Sequence, residues 1–242
     1  DDVMLEYVTL YNLAGKPEKA YEIIMGHSFR PWEGAEGRIS GQYKIALLEL
    51  AKKDIAAGDY SKAEEKLEKA LVYPENLGEG KLEGTKDNNI YYYLGTVKEA
   101  LGKEGAKECF ELAELGENEP AGAMYYYDQP ADMILYKGLA KQKIGKTKEA
   151  FACFNKLMDY GERHLNDKVK NDFFAVSLPD FLIFEDDMDR RNKAHCYYLM
   201  GLANIGLANP EAAVKDFDKA LEYDFNHQNC RIYKELAKGE LS

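Results

Sequence analysis

The chain has 242 residues, 45% hydrophobic and 31% charged, which is long enough to bury a continuous core. Its 32 basic residues stand against 43 acidic ones, a net charge of −11, so a broad contact with a nucleic-acid backbone is excluded. No apolar run approaches the ~18 residues of a membrane span, so no membrane partner is expected.

Taken in order, the elements repeat. The first copy is short: Met4, Val8, Gly15, Ala20 and Ile24. The second has Leu47, Leu50, Ala51, Gly58, Ala63, Leu67 and Ala70. The third runs from Tyr91, Leu94, Gly95 and Val97 through Gly102 to Ala106, Phe110 and Ala113. The fourth has Ile134, Gly138, Gly145, Ala150, Phe154 and Leu157, and the fifth Tyr197, Met200, Gly201, Ala213, Phe217 and Ala220. Ala20, Ala63, Ala106 and Ala150 recur at intervals of 43, 43 and 44 residues, and Ala213 follows after 63. A fixed period of this size signals stacked supersecondary units.

Each unit reads as two amphipathic helices joined by a tight turn. Gly15, Gly58, Gly102 and Gly145 end the first helices, where a left-handed residue is needed. Asp59 and Asn209 read as N-caps, with Pro17 and Pro210 at the first helical position. The expected units span about 3–26, 40–72, 88–115, 130–160 and 192–222 of a single solenoid. A capping helix is expected over 226–238 and an insertion over 161–191. In that insertion, 164–172 reads as a short helix and 173–184 as an apolar stretch folded on the solenoid.

The sentence Tyr197-x-x-Met200-Gly201 followed by Ala213-x-x-x-Phe217-x-x-Ala220 resembles the tetratricopeptide repeat. That family's unit is about 34 residues; the longer period here places the difference in the connections. The resemblance implies an all-α fold, a right-handed α-α superhelix of about five helix pairs with long edge loops. The strings Arg30-Pro31-Trp32-Glu33-Gly34, Tyr73-Pro74-Glu75-Asn76-Leu77-Gly78-Glu79-Gly80 and Val176-Ser177-Leu178-Pro179-Asp180-Phe181 look like segments of large bacterial proteins. Those proteins join an N-terminal galactose-mutarotase-like domain of unknown function to C-terminal tetratricopeptide repeats. The resemblance implies that this chain is the repeat part.

The start, Asp1-Asp2-Val3-Met4, has no basic and then apolar leader, so no signal peptide is read and a cytoplasmic location is expected. It also lacks an initiator methionine and fits a piece of a longer polypeptide.

Function is expected in two places. The connections over 26–40, 73–88, 117–131 and 161–192 are long and rich in aromatic and acidic residues, which argues for ordered, working loops. Their candidate binding residues are Trp32, Glu33, Glu36, Glu75, Glu79, Tyr126, Asp128, Asp180 and Phe181. The second place is the concave groove lined by first helices, with Asn89, Tyr92, Asp132, Tyr136, His195 and Tyr198 facing inward beside Thr96, Leu139 and Leu202. Tyrosine suits a peptide groove, since it offers apolar area and a hydroxyl at low entropic cost.

No catalytic residues are assigned. Asp186 and Asp187 are adjacent and point apart, and no phosphate loop, dinucleotide fingerprint or nucleophile elbow occurs. Cys109, Cys153, Cys196 and Cys230 are dispersed and read as reduced, packed thiols. His227 and Cys230 form one half of a metal site with no second half, so no metal and no cofactor are expected. The reading is a non-enzymatic scaffold that docks another domain of its parent protein or a separate polypeptide. The alternatives are an accessory part of a carbohydrate-active protein, with edge loops completing a sugar site, and a peptide-binding adaptor working through the groove.

Overall fold

The computed structural model describes residues 1–31, 35–122, 129–169 and 187–239. Among them the fold is all-α, as the resemblance implied, and it is a succession of helix hairpins. In order these are α1 (Asp2–Leu13), α2 (Pro17–Gly26), α3 (Arg38–Ala56), α4 (Tyr60–Ala70), α5 (Asn88–Ala100), α6 (Ala106–Ala113), α7 (Ala131–Lys143), α8 (Thr147–His164), α9 (Met188–Gly206), α10 (Pro210–Tyr223) and α11 (Gln228–Lys238). A 3-10 turn, Glu75–Leu77, lies between α4 and α5. The chain divides into two compact units within α6, after Cys109.

In the first unit, α1 packs on α2, α2 on α3, α3 on α4 and α4 on α5. Its core holds Val8, Ala20, Ile24, Ala46, Leu47, Ala51, Ala63, Leu67, Ala70, Ile90 and Val97. These are the small-then-large stripes visible in the sequence. The small residues let helix axes approach, and the large ones fill the space beside them.

In the second unit, α7 packs on α8, α8 on α9, α9 on α10 and α10 on α11. Phe154 of α8 shows the packing device most directly. A Cβ on Gly138 of α7 or on Gly206 of α9 would collide with its ring, so two glycines make the slot that receives one phenylalanine. Gly201 makes the same room for Phe217.

The turns follow one rule. Gly15, Gly58, Gly102 and Gly145 all have positive φ, between 62° and 81°. The fifth hairpin breaks the rule by using Ala208, at φ 58°. Asp59 and Asn209 stand at the N-cap positions of α4 and α10, as expected, and Pro17 and Pro210 open their helices, but neither Asp59 nor Asn209 makes a side-chain capping bond. Side-chain caps form instead at Asp187, whose carboxylate accepts from the Arg190 amide at 3.1 Å at the start of α9, and at His227, whose Nδ1 accepts from the Cys230 amide at 3.2 Å at the start of α11. The short helix expected over 164–172 does not form over 164–169, and 170–172 lie outside the described residues. α8 runs unbroken to His164, with Gly161 packed closely on Cys196 and Met200 of α9, and a turn follows. The apolar stretch 173–184 lies outside the described residues.

Candidate functional site

The edge of the first unit is built from two connections that the sequence separates by more than forty residues. The loop after α2 and the loop after α4 lie against each other. The Asn76 side-chain amide donates to the carbonyls of Ile24 (2.7 Å) and His27 (2.9 Å), and the Asn76 backbone carbonyl accepts from the Phe29 amide at 2.7 Å. These bonds satisfy carbonyls that the end of α2 would leave open. Gly78, at φ 70°, sits directly against the Phe29 carbonyl, with no room for a side chain.

Glu79 was expected to bind a partner. In the structure its two carboxylate oxygens accept from the amides of Gly37 (2.8 Å) and Ser40 (3.1 Å). They act as a remote cap on α3, whose N-cap residue, Gly37, has no capping side chain of its own. Asp87, buried, closes the loop by pairing with Lys44 at 3.1 Å and Lys81 at 2.6 Å. Lys81 also donates to the Leu71 carbonyl at 2.9 Å. Glu36 and Glu75 are exposed on this edge. Trp32, Glu33, Tyr126, Asp128, Asp180 and Phe181 lie outside the described residues.

The groove candidates separate by unit. In the first, Asn89 and Tyr92 are half-buried on α5. Asn89 accepts from the Ile90 amide with its side chain at 2.9 Å, and burial pushes the Tyr92 hydroxyl up to about 12. Nearby, the ammonium of buried Lys52 lies 5.5 Å from the Tyr93 ring centre and 2.7 Å from Glu49.

In the second unit Asp132, Tyr136, His195 and Tyr198 are all buried. Asp132, Tyr136 and Tyr198 do not line an open surface, because α11 brings Tyr233 over them. The Tyr233 hydroxyl donates to the Asp132 carboxylate at 2.8 Å, across 101 residues of chain. Its ring lies 6.3 Å from Tyr136 and 6.2 Å from Tyr198, and Tyr198 is 4.7 Å from the His227 ring. Burial, followed by the Asp132 charge, holds the Tyr233 hydroxyl protonated and able to donate.

His195 is placed apart from a catalytic role. Its Nε2 donates to the Ala121 carbonyl at 2.9 Å, and burial lowers its pKa to about 4, so the ring is neutral at pH 7. The four cysteines are reduced and buried; burial raises Cys196 to about 12 and drives Cys230 up further. They are not poised as nucleophiles. Among the described residues no group of His, Cys, Asp or Glu is arranged to hold a metal ion, and no helix is long and apolar enough to cross a membrane.

Asn76, Gly78, Glu79 and Tyr233 carry the arrangement. Sequence reasoning singled out only Glu79, for another role. The turn-like string Asn76-Leu77-Gly78 was the one local signal available.

No protein-family model matches the chain. Among solved structures it is similar to YrrB, described as a TPR protein with an unusual peptide-binding site. The two share 16% identity over 96% of this chain and 90% of that one, with a TM-score of 0.30. At that score the likeness carries no argument, and the helical-repeat reading stands on the hairpins and turn glycines of the chain itself.

Proposed function

We propose that the chain is a non-catalytic interaction module, a helical-repeat scaffold whose edge connections dock another protein or another domain of its own polypeptide. The observation that supports this is the edge of the first unit. Long connections usually stay mobile unless something holds them. Here Asn76 and Glu79 fix two connections to each other, and Asp87 ties the second to Lys81 of its own loop and to Lys44 of α3, before any partner arrives. A surface already in its bound shape avoids the ordering cost of association. Glu36 and Glu75 stand exposed on it, which fits a partner with a basic rim. The groove reading is less favoured in the second unit, where Tyr233 already covers Asp132, Tyr136 and Tyr198.

The test is to probe the purified chain against peptide and glycan arrays and then titrate the hits calorimetrically at low and high salt. The expected result is peptide or protein binding that weakens with salt and falls about tenfold, roughly 1.4 kcal/mol, in the double variant Glu36→Lys, Glu75→Lys. Binding confined to glycans would transfer the edge to the carbohydrate reading. Glycoside hydrolysis by the chain alone would overturn the non-catalytic one.

A further inference from the structure

α11 begins on a histidine. The ring Nδ1 of His227 accepts from the Cys230 amide at 3.2 Å. A neutral ring can do this and a protonated one cannot, because imidazolium is a donor at both nitrogens. The His227 backbone also sets the approach to the helix. Its amide donates to the Asp224 carbonyl at 3.2 Å, and its carbonyl accepts from the Arg231 amide at 3.4 Å. The Tyr198 ring of α9 lies 4.7 Å from the imidazole. The side chains that α11 buries are Cys230 and Tyr233. The same short helix therefore joins an imidazole cap to the Tyr233 hydroxyl, which rests on Asp132 at 2.8 Å.

Protonating the ring would weaken the helix in two ways. The Cys230 amide would lose its acceptor, and a positive charge would stand at the positive end of the helix dipole. The neighbouring charges pull in both directions. At the end of α10, Asp224 favours the charged ring. On α9, Arg191 opposes it, and so does His195 once protonated. On α11 itself, Arg231 lies over the Phe225 ring, 4.7 Å from its centre, and donates to the Phe225 carbonyl at 2.8 Å. On α7, the Asp132 carboxylate is engaged by Tyr233. Burial is the largest influence and holds His227 below the usual histidine range, with Arg191 acting the same way and Asp224 against it. A ring released into solvent regains its ordinary affinity for a proton.

We propose that His227 is a pH-sensitive latch whose protonation releases α11 and lifts Tyr233 from Asp132, Tyr136 and Tyr198. At pH 7 the ring is neutral, the cap is made and the three stay covered. As pH falls below about 6.5, the released helix takes up a proton that the packed helix refuses, so opening becomes easier. The set that Tyr233 leaves is a carboxylate beside two phenol rings. It fits an aromatic side chain that donates a hydrogen bond, as Tyr233 itself does.

Hydrogen exchange at the Cys230, Ile232 and Tyr233 amides tests this, read as protection relative to an unstructured chain at the same pH. Between about pH 7.5 and 5.5 that protection should fall by up to about tenfold, the factor set by a released ring with its ordinary pKa. At each pH α11 should be less protected than Leu199, buried in α9, because the helix opens by itself. His195→Gln should keep the response, which separates it from titration of the other buried histidine. His227→Asn supplies an acceptor that does not titrate and should flatten the response, whatever the protection at neutral pH. Protection in α11 that does not change with pH would overturn the proposal. So would the same fall in His227→Asn, or equal protection of α11 and Leu199, since the helix would then open only with the whole unit.

Discussion

Replacing Gly78 with alanine isolates how the first unit holds its edge. Gly78 has φ 70°, and a Cβ there would fall well inside contact with the Phe29 carbonyl oxygen and 3.0 Å from both Phe29 C and Pro31 Cδ. The obstacle is backbone, so it cannot rotate away. The left-handed conformation alone costs an alanine about 1–2 kcal/mol. Moving the loops apart also stretches the Phe29-to-Asn76 bond and the two bonds from the Asn76 amide, each worth about 1 kcal/mol. The expected total is about 3–5 kcal/mol.

Gly58→Ala is the control. Its φ is 77°, yet nothing lies within 4 Å of the added carbon, so the expected cost is only about 1–2 kcal/mol. Hydrogen exchange read at the Phe29 and Ser40 amides reports the local opening, which is preferable to one global midpoint in a chain of two units. Gly78→Ala should speed exchange at both amides roughly a hundredfold more than Gly58→Ala does. Equal effects from the two substitutions would refute the account, because they would leave only backbone conformation and no close approach.

Two further outcomes are expected. The pKa of His195 in the fold is lowered to about 4 from 6.5 by burial, so the unfolded chain binds a proton that the folded chain refuses. Its contribution is complete above pH 6.5 and is lost as pH falls toward 4, by up to about 3 kcal/mol; His227 is shifted in the same direction. Urea midpoints across that range should drop more steeply in the natural chain than in His195→Gln, and parallel curves would contradict the assignment. Tyr233→Phe removes the hydroxyl that Asp132 accepts from at 2.8 Å inside the second unit. Chemical denaturation should show a loss of about 2 kcal/mol, recovered in part when Asp132→Asn is added, since the remaining side chain is then uncharged.

The helices were legible because their signals are local. Ala63, Leu67 and Ala70 lie on one stripe, and Gly58 must take a left-handed turn whatever surrounds it. The positive φ at Gly15, Gly58, Gly102 and Gly145 follows directly. What was not legible is contact between distant strings. Repeat position says that Asp132, Tyr136 and Tyr198 face the same way, but not that Tyr233 will lie over them, because Tyr233 is a hundred residues from Asp132 and outside the repeat pattern. Glu79 looks like any acidic loop residue until Gly37 and Ser40 are brought to it. Asp59 and Asn209 take the N-cap positions but make no side-chain bond there, for a related reason. A capping residue type shows that a bond can form, while the backbone there, at ψ 55° and 68°, does not set the side chain to make it.

The reach of Asn76 has a consequence during synthesis. The carbonyls it satisfies, on Ile24 and His27, leave the ribosome 52 and 49 residues ahead of it. At ordinary elongation rates that is an interval of about 3–10 seconds. For that time the first hairpin exists with the end of α2 uncapped and Phe29 without its backbone acceptor. This hairpin therefore reaches its final form only when the third begins to emerge, and a pause in translation near residue 70 would lengthen the period in which Phe29 is open to other chains.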